Sequence, residues 1–123
     1  MAFFHHPYRS PAAPYTGKAE LRHLWSLLVS GGVDLVLNGH NHAYERLKPM
    51  RTMGDVDHDD APWTVIAGSG GRSLIGFSSV HRNSSAQAVV YGVYKMILYP
   101  DRWTGAHKGT DGVTRDLRSI GYH

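Results

Sequence analysis

The sequence predicts an α/β fold in which short buried strands alternate with one helix. Three observations support this: the apolar opening MAFF (residues 1–4), an amphipathic stretch at 18–30, and the β-branched, apolar segments VDLVLN (33–38) and WTVIAG (63–68). The three apolar segments are too short for helices, and Gly or Pro follows each of them closely. A strand, loop, helix and strand in this order are typical of a sheet whose parallel strands are joined by helices.

The helix is predicted from its apolar spacing. Leu21, Leu24, Trp25 and Leu28 fall at positions i, i+3, i+4 and i+7, and a Ser-Gly-Gly sequence at 30–32 provides a C-terminal stop. We expect Trp25 to fill the core.

The second half of the chain is predicted to be mainly strand. A polar loop is expected at 47–62, a long strand at 88–100, a turn at 101–105 and a weaker last strand at 112–122. We expect the aromatic residues at 91–99 to fill core. No repeat or linker divides the chain.

Composition excludes several classes of function. With 41% hydrophobic and 19% charged residues the chain is typical of a globular domain, and no apolar run approaches the roughly 20 residues of a membrane span. The absence of cysteine excludes disulfides, iron–sulfur clusters and Cys-type zinc sites. The net charge of +3 comes from scattered basic residues, so nucleic-acid binding is a minor hypothesis. No signal peptide is visible, which leaves the compartment unknown and is compatible with a secreted or periplasmic parent protein.

Four of the nine histidines form two pairs, His5–His6 and His40–His42, and each pair follows a predicted strand. The third predicted strand ends in a glycine-rich loop at 68–73. Loops after neighbouring strands of an α/β sheet converge at the carboxyl ends of those strands. If the three strands are neighbours, their loops meet at a metal site with imidazole ligands, which suit Zn, Fe or Mn.

The spacing of His40 and His42 is compatible with both rings facing one site. In extended backbone, residues two apart point to the same side, so Asn41 is expected to face elsewhere. We expect Gly39 to allow close approach of the chain, and Asn38, Asn41 or backbone carbonyls to orient the imidazoles. A histidine pair of this spacing is, by itself, equally consistent with solvated loop residues.

Other metal motifs do not fit. Tyr44 and Glu45 stand where the HxHxDH motif requires Asp and His, and only two residues separate His42 from Glu45, fewer than a cupin-type site requires. The acidic residues at 55–60 have the D-x-D-x-D spacing of a calcium loop but lack its glycine and its final glutamate. We interpret them as a solvated acidic loop at the rim of the site.

Four segments together resemble one known family. AFFHHPYRS (2–10), VDLVLNGHNHAYER (33–46), VIAGSGGRSLIGF (65–77) and YGVYKMILYPD (91–101) are similar, in this order, to the C-terminal half of the calcineurin-like metallophosphoesterases, in particular the purple acid phosphatase-like branch. The resemblance implies the C-terminal part of a two-sheet β-sandwich flanked by helices. Residues 1–123 would then be the C-terminal portion of one phosphoesterase domain.

The resemblance also implies a set of ligands. His5 and His40 would bind one metal of a dinuclear centre and His42 the other, with divalent or trivalent Fe, Zn or Mn in the complete enzyme. The family's Asp-rich, GDxxY and GNH motifs, which belong to the N-terminal half of the domain, do not occur in this sequence. The acidic ligands are therefore expected from a preceding segment or from another chain.

Residues other than the ligands receive different interpretations. Plant-type members carry a phosphate-contacting histidine pair in the loop that corresponds to 10–17, which has no histidine here. His6, Arg9 and Tyr15 are the candidate substitutes, and Arg9 suits a phosphate oxygen best. Structural roles are expected for Tyr44, Glu45 and Arg46, of which Glu45 and Arg46 would anchor the ligand loop by hydrogen bonds and a partly exposed ion pair. The five remaining histidines, in helix, loops or tail, are not expected to be ligands (His23, His58, His81, His107 and His123).

The expected activity is hydrolysis of phosphate esters, in particular monoesters, by the parent enzyme. One alternative is a catalytically incompetent module that binds at most one ion through His5 and His40, with or without His42. Another is a basic domain that binds nucleic acid with steep salt dependence. Exposed strand edges are expected to favour self-association or pairing with the acidic half of the domain.

Overall fold

The computed structural model describes residues 1–10, 17–51 and 59–123. Its elements in chain order are β1 (Ala2–Phe3), a 3₁₀ turn (Ala19–Leu21), α1 (Arg22–Ser30), β2 (Leu35–Asn38), β3 (Tyr44–Leu47), β4 (Trp63–Ala67), β5 (Ser84–Ala88), β6 (Gly92–Leu98), β7 (Arg102–Gly109) and β8 (Thr114–Gly121). Within these described ranges, no helix has the length and apolar character that crossing a membrane requires.

The strands form two sheets. The larger has the order β1-β2-β4-β3-β5 and the smaller the order β6-β7-β8. β1, β2 and β4 are parallel neighbours, with Phe3 opposite Leu37 and Asn38 opposite Ile66. β3 runs antiparallel to both of its neighbours, β4 and β5, so β5 has the same direction as β4. The predicted α/β class and the two-sheet architecture are confirmed.

Side chains of β2 and β4 alternate between two cores. The core on the side of α1 consists of Tyr8, Trp25, Val36, Leu47, Met50 and Ile66. The core between the two sheets consists of Leu35, Tyr44, Val65 and Trp103. Both faces of these strands are therefore buried, which explains why their sequences are continuously apolar.

The predicted helix is confirmed with a later start. Its first residues form the 3₁₀ turn, and the α-helix begins only at Arg22. Trp25 is buried as expected, and its indole Nε1 donates a hydrogen bond to the Met50 carbonyl at 3.0 Å. Leu24, however, is 39% exposed, so only part of the predicted apolar stripe packs on the sheet.

Several predictions for strands were wrong. β3 and β5 lie in segments for which no strand was predicted. The long strand expected at 88–100 is confirmed over Gly92–Leu98 as β6, whereas Ala88 is the last residue of β5 in the other sheet. The expected turn at 101–105 is the start of β7. β1 is an edge strand rather than a buried one, with Phe3 78% exposed, and Tyr91 and Tyr99 are exposed instead of filling the core.

Candidate metal centre

The loops that follow β1, β2 and β4 meet at one edge of the larger sheet. They surround an open cavity of about 570 Å³ lined by His5, His40, His42 and Arg72, together with Ala67 and glycines at 39, 68, 70 and 71. The convergence follows from the parallel arrangement of the three strands, whose carboxyl ends all lie at this edge.

The two histidine loops are tied together through their backbones. Gly39 N donates a hydrogen bond to the His5 carbonyl at 3.0 Å. The Asn38 side chain donates to the Phe4 carbonyl at 2.8 Å and, more weakly, to the His6 carbonyl at 3.5 Å. Asn38 was expected to orient an imidazole, but its side-chain amide instead holds the backbone that carries His5 and His6.

Two consecutive tight turns present His40 and His42. Asn41 N donates to the Gly39 carbonyl at 2.7 Å, and Ala43 N donates to the Asn41 carbonyl at 2.8 Å. Each histidine is thus the central residue of a three-residue turn, and His40 has a left-handed φ of 64°. The expectation of extended backbone was wrong, although both rings line the cavity and Asn41 is buried away from it, 1% exposed.

His5, His6 and His40 form a compact cluster. His40 Nδ1 lies 3.2 Å from His5 Nε2, and one potential ligand nitrogen from each of the three rings lies within 4.8 Å of the others. Burial, followed by the charges of His6 and His5, lowers the pKa of His40. The neutral imidazole, which is the form that binds metal, is therefore favoured at neutral pH.

His42 is oriented by a backbone carbonyl. Its Nδ1 lies 3.0 Å from the Ser73 carbonyl oxygen, which can only accept, so Nδ1 carries the proton. In the neutral ring Nε2 then holds the lone pair that a metal requires. Backbone carbonyls were among the expected partners, and this one comes from the glycine-rich loop after β4. His42 does not belong to the cluster of His5, His6 and His40.

A glycine other than the expected one allows the loops to approach. A Cβ on Gly39 would lie 3.5 Å from His5 Nδ1, an ordinary contact, so the predicted role of Gly39 was wrong. A Cβ on Gly68 would lie only 1.8 Å from the Asn41 carbonyl oxygen. Gly68 N also donates to the Ala43 carbonyl at 3.1 Å. Gly68 is therefore the residue that lets β4 pass directly against the histidine turn.

The Tyr-Glu-Arg sequence after His42 anchors the site to three other parts of the fold. Tyr44 and Arg46 both bind the carboxylate of Asp116 in β8. Glu45 accepts hydrogen bonds from Ser10 at 3.1 Å and from Gln87 at 2.9 Å. The expected anchoring by hydrogen bonds agrees with these contacts, but the expected partial exposure of the ion pair was wrong.

The ion pair of Arg46 is buried, and its partner is Asp116. Their side chains are 3% and 4% exposed. Burial opposes ionisation of Asp116, but hydrogen bonds from Arg46 and Tyr44 outweigh it and lower its pKa. For Glu45, burial raises the pKa, and the hydrogen bonds from Gln87 and Ser10 only partly offset it.

His107 was expected in a loop, but it is a fully buried residue of β7. Its ring stacks on Tyr44 with centroids 4.6 Å apart, and its Nε2 lies 3.1 Å from the Ser69 hydroxyl. Ser69 belongs to the loop that lines the cavity, so His107 supports that loop from the smaller sheet. Like His23 and His81, it is not in the metal-site cluster, and His123 instead binds Asp34.

The three residues predicted to contact phosphate differ in where they lie relative to the cavity. His6 lies in the histidine cluster, whereas Arg9 is not among the residues that line the cavity, and Tyr15 lies outside the described residues. Arg72 lines the cavity instead. Its position directly after a strand in a glycine-rich loop was the available signal for it. Most of the acidic loop at 55–60 also lies outside the described residues, and among those described no carboxylate lines the cavity.

The donor atoms suit a metal ion with nitrogen ligands. The rings of His5, His40 and His42 line one cavity, the neutral form is favoured for His40, and the Ser73 carbonyl orients His42. Such a set fits Zn or Fe better than Mg or Ca, which prefer oxygen ligands. Two adjacent ions would in addition need anionic ligands to reduce their repulsion.

Comparisons with known proteins support the fold. Neither a protein-family model nor a curated protein sequence matches the chain. A purple acid phosphatase, PPD1 from seeds of yellow lupin (Lupinus luteus), superposes with a TM-score of 0.74 and 23% identity over 97% of this chain. GAP50, described as the anchor in the inner membrane complex of Plasmodium, superposes with a TM-score of 0.79 and 21% identity over 96% of this chain.

The matched regions are small parts of both structures, 24% of the phosphatase and 35% of GAP50. At these identities the likeness concerns the fold alone. It agrees with the resemblance seen in the sequence motifs. The chain therefore has the fold of the C-terminal portion of a purple acid phosphatase-like domain.

Proposed function

We propose that this chain supplies the histidine ligands of a dinuclear metal centre in a protein that hydrolyses phosphate esters, with monoesters as the substrate class. His5 and His40 would hold one ion and His42 the other. The observation that carries the proposal is the convergence of these three rings, from two separate loops, on one open cavity. The phosphatase-like fold is consistent with it.

The residues around the cavity have roles that fit this chemistry. The Arg72 guanidinium can pair with phosphate oxygens, and the glycines beside it leave space for the substrate. The Ser73 carbonyl holds the ring of His42 in one tautomer. When bound, metal ions of this kind polarise phosphoryl oxygens and lower the pKa of water.

The proposal requires carboxylates from outside the described cavity. A preceding segment or a second chain would provide them, and the exposed edge of β1 beside His5, where Phe3 is 78% exposed, is the surface we propose for that contact. Alternatively, two copies of this chain could associate through the same edge. Sedimentation of the chain alone distinguishes the two alternatives, since a stable monomer would count against self-association.

The test is to measure metal content and hydrolysis of p-nitrophenyl phosphate for the longest native reading frame that contains this chain. We expect two ions per protein and turnover that falls at least about 100-fold in His40→Ala and His42→Ala, since loss of a ligand costs more than the roughly 10–100-fold lost with a residue that only supports one. His23→Ala, on the exposed face of α1, is the control. Undiminished turnover in either ligand variant would refute the proposal.

A second candidate function is a module that binds one ion and has no hydrolytic activity. It is favoured by the lack of carboxylates in the cavity lining of the described residues. The likeness to GAP50, which is described as an anchor, is consistent with a role other than hydrolysis. Binding of a single ion by the longer protein, without turnover, would support this function over the first.

A further inference from the structure

We infer that His5, His6 and His40 form a mononuclear site for one transition-metal ion of the zinc class, which this chain can bind without any carboxylate. The third ligand of this site is His6 and not His42. The inference does not depend on the proposed phosphatase function, because it needs neither a second ion nor a second half of the domain.

The spacing of the nitrogens matches a tetrahedral ion. Zinc–nitrogen bonds of about 2.0–2.1 Å place two ligand nitrogens about 3.3–3.4 Å apart in a tetrahedral site. His40 Nδ1 and His5 Nε2 are 3.2 Å apart. All three ligand nitrogens lie within 4.8 Å of one another. A shift of about 1.4 Å, which rotation of an imidazole ring can supply, would bring the most distant pair to the tetrahedral spacing.

The position of His6 supports its role as the third ligand. Its ring centroid lies 4.2 Å from that of His40 and 4.8 Å from that of His5, at angles of 45° and 89°. The three rings are therefore edge-on or tilted rather than stacked in parallel. This arrangement lets their nitrogens point to a common centre.

The backbone is already arranged for this set. The His5 and His6 carbonyls accept hydrogen bonds from Gly39 N and the Asn38 side chain, which fixes their loop against that of His40. His40 itself adopts a left-handed φ of 64°, which is unfavourable for a residue with a Cβ. Strain of this kind is concentrated at functional sites.

The donor set selects the ion and leaves it accessible. Three neutral imidazoles favour Zn, Co, Ni or Cu over Mg or Ca, which prefer oxygen ligands. A site with three histidine ligands keeps a position for water or an oxyanion. The open cavity of about 570 Å³, with Arg72 in its lining, has room for such an anion.

The experiment is calorimetric titration of the metal-free chain with Zn²⁺, and with Co²⁺ monitored by visible absorption, which reports coordination number. We expect one ion per chain. His6→Ala should weaken binding at least about 100-fold, since loss of a ligand costs more than the roughly 10–100-fold lost with a supporting hydrogen bond. His42→Ala should change affinity less than about threefold, a difference of about 0.7 kcal/mol at most.

Controls make each outcome decisive. Circular dichroism verifies that the variants fold, and His6→Asn replaces His6→Ala if the latter does not. Loss of binding in His42→Ala with normal binding in the His6 variants would overturn the inference, as would absence of Zn²⁺ binding by the folded chain. A failure of the phosphatase proposal is distinguishable, because turnover of the longer protein depends on His42 whereas this titration does not.

Discussion

Arg46 and Asp116, seventy residues apart in sequence, form a buried bidentate ion pair that joins the two sheets. Arg46 Nε donates to Asp116 Oδ2 at 2.7 Å and Nη2 donates to Oδ1 at 2.9 Å, while Tyr44 donates to Oδ2 at 2.8 Å. Asp116 has a left-handed φ of 51° within β8, so the backbone there is adapted to deliver this carboxylate. The smaller sheet thus holds the strand that follows the histidine turn.

Replacing Asp116 with Asn should destabilise the protein strongly. Removal of one partner leaves the Arg46 charge buried and unpaired, which typically costs about 3–5 kcal/mol. The measurement is the free energy of unfolding from urea titration. Asp111→Asn, which disrupts a more exposed pair with Arg115, is the matched control and should change stability far less. Similar losses in both variants would show that the buried pair has no special role.

Gly68→Ala should disrupt the histidine turn, whereas Gly70→Ala should be tolerated. A Cβ on Gly68 would lie 1.8 Å from the Asn41 carbonyl oxygen, but one on Gly70 meets no atom within 4 Å. We expect Gly68→Ala to lower the free energy of unfolding by about 1–3 kcal/mol, as is typical of overpacked cores. Thermal unfolding measures the cost, and Zn²⁺ titration shows whether the loop has moved. Equal stability of the two variants would contradict the close approach seen here.

At position 40, glycine should give a more stable protein than alanine. Both substitutions remove the imidazole, but alanine keeps the Cβ that is unfavourable at a φ of 64°. Release of that strain is worth roughly 1 kcal/mol, the reverse of the usual preference for alanine. Urea unfolding of His40→Gly and His40→Ala provides the comparison, with both variants impaired in metal binding. A more stable alanine variant would mean that His40 is not strained.

Acid should destabilise the protein partly through His107. Burial and the positive charge of Arg115 lower its pKa, against a smaller opposing effect of Asp111. As the pH falls below 6.5, the ordinary value for histidine, the unfolded chain takes up a proton that the folded protein does not. Stability then decreases by up to about 1.4 kcal/mol per pH unit until the folded pKa is reached.

The check on this effect is the difference between the wild type and His107→Phe in urea unfolding from pH 8 to pH 5. The phenylalanine ring can retain the stacking on Tyr44 but cannot titrate. We expect the variant to lose less stability on acidification, with His23→Ala following the wild type. Parallel curves for all three proteins would exclude His107 as a source of the acid sensitivity.

The local sequence pattern was sufficient to predict which loops form the site, because these loops directly follow predicted strands. The short apolar segments predicted β1, β2 and β4, and parallel neighbours must place their following loops at one edge. The meeting of the two histidine loops could therefore be predicted. The conformation of the loop that carries His40 and His42 could not be predicted. The left-handed φ of His40 depends on contacts that the neighbouring segments make in the folded protein.

The strands that were missed have sequences whose character is set by distant partners. β3 reads Tyr-Glu-Arg-Leu, yet its charged residues are buried, because Asp116 and Gln87 satisfy them. β7 contains two glycines and a histidine, and its pairing with β6 and β8 makes it a strand. From the sequence alone, polar residues of this kind are assigned to the solvated surface, because the partners that allow their burial lie far away in the chain.

The sequence by itself determined the α/β class, the helix around Trp25, the apolar strands and the placement of the histidine pairs at strand ends, since these follow from local periodicity and backbone chemistry. Only the tertiary structure decided that Gly68, Arg72, Asp116 and His107 support or line the site, and that His6 joins His5 and His40. These relationships join residues far apart in the chain, and no local propensity encodes the distance between two side chains that only packing brings together.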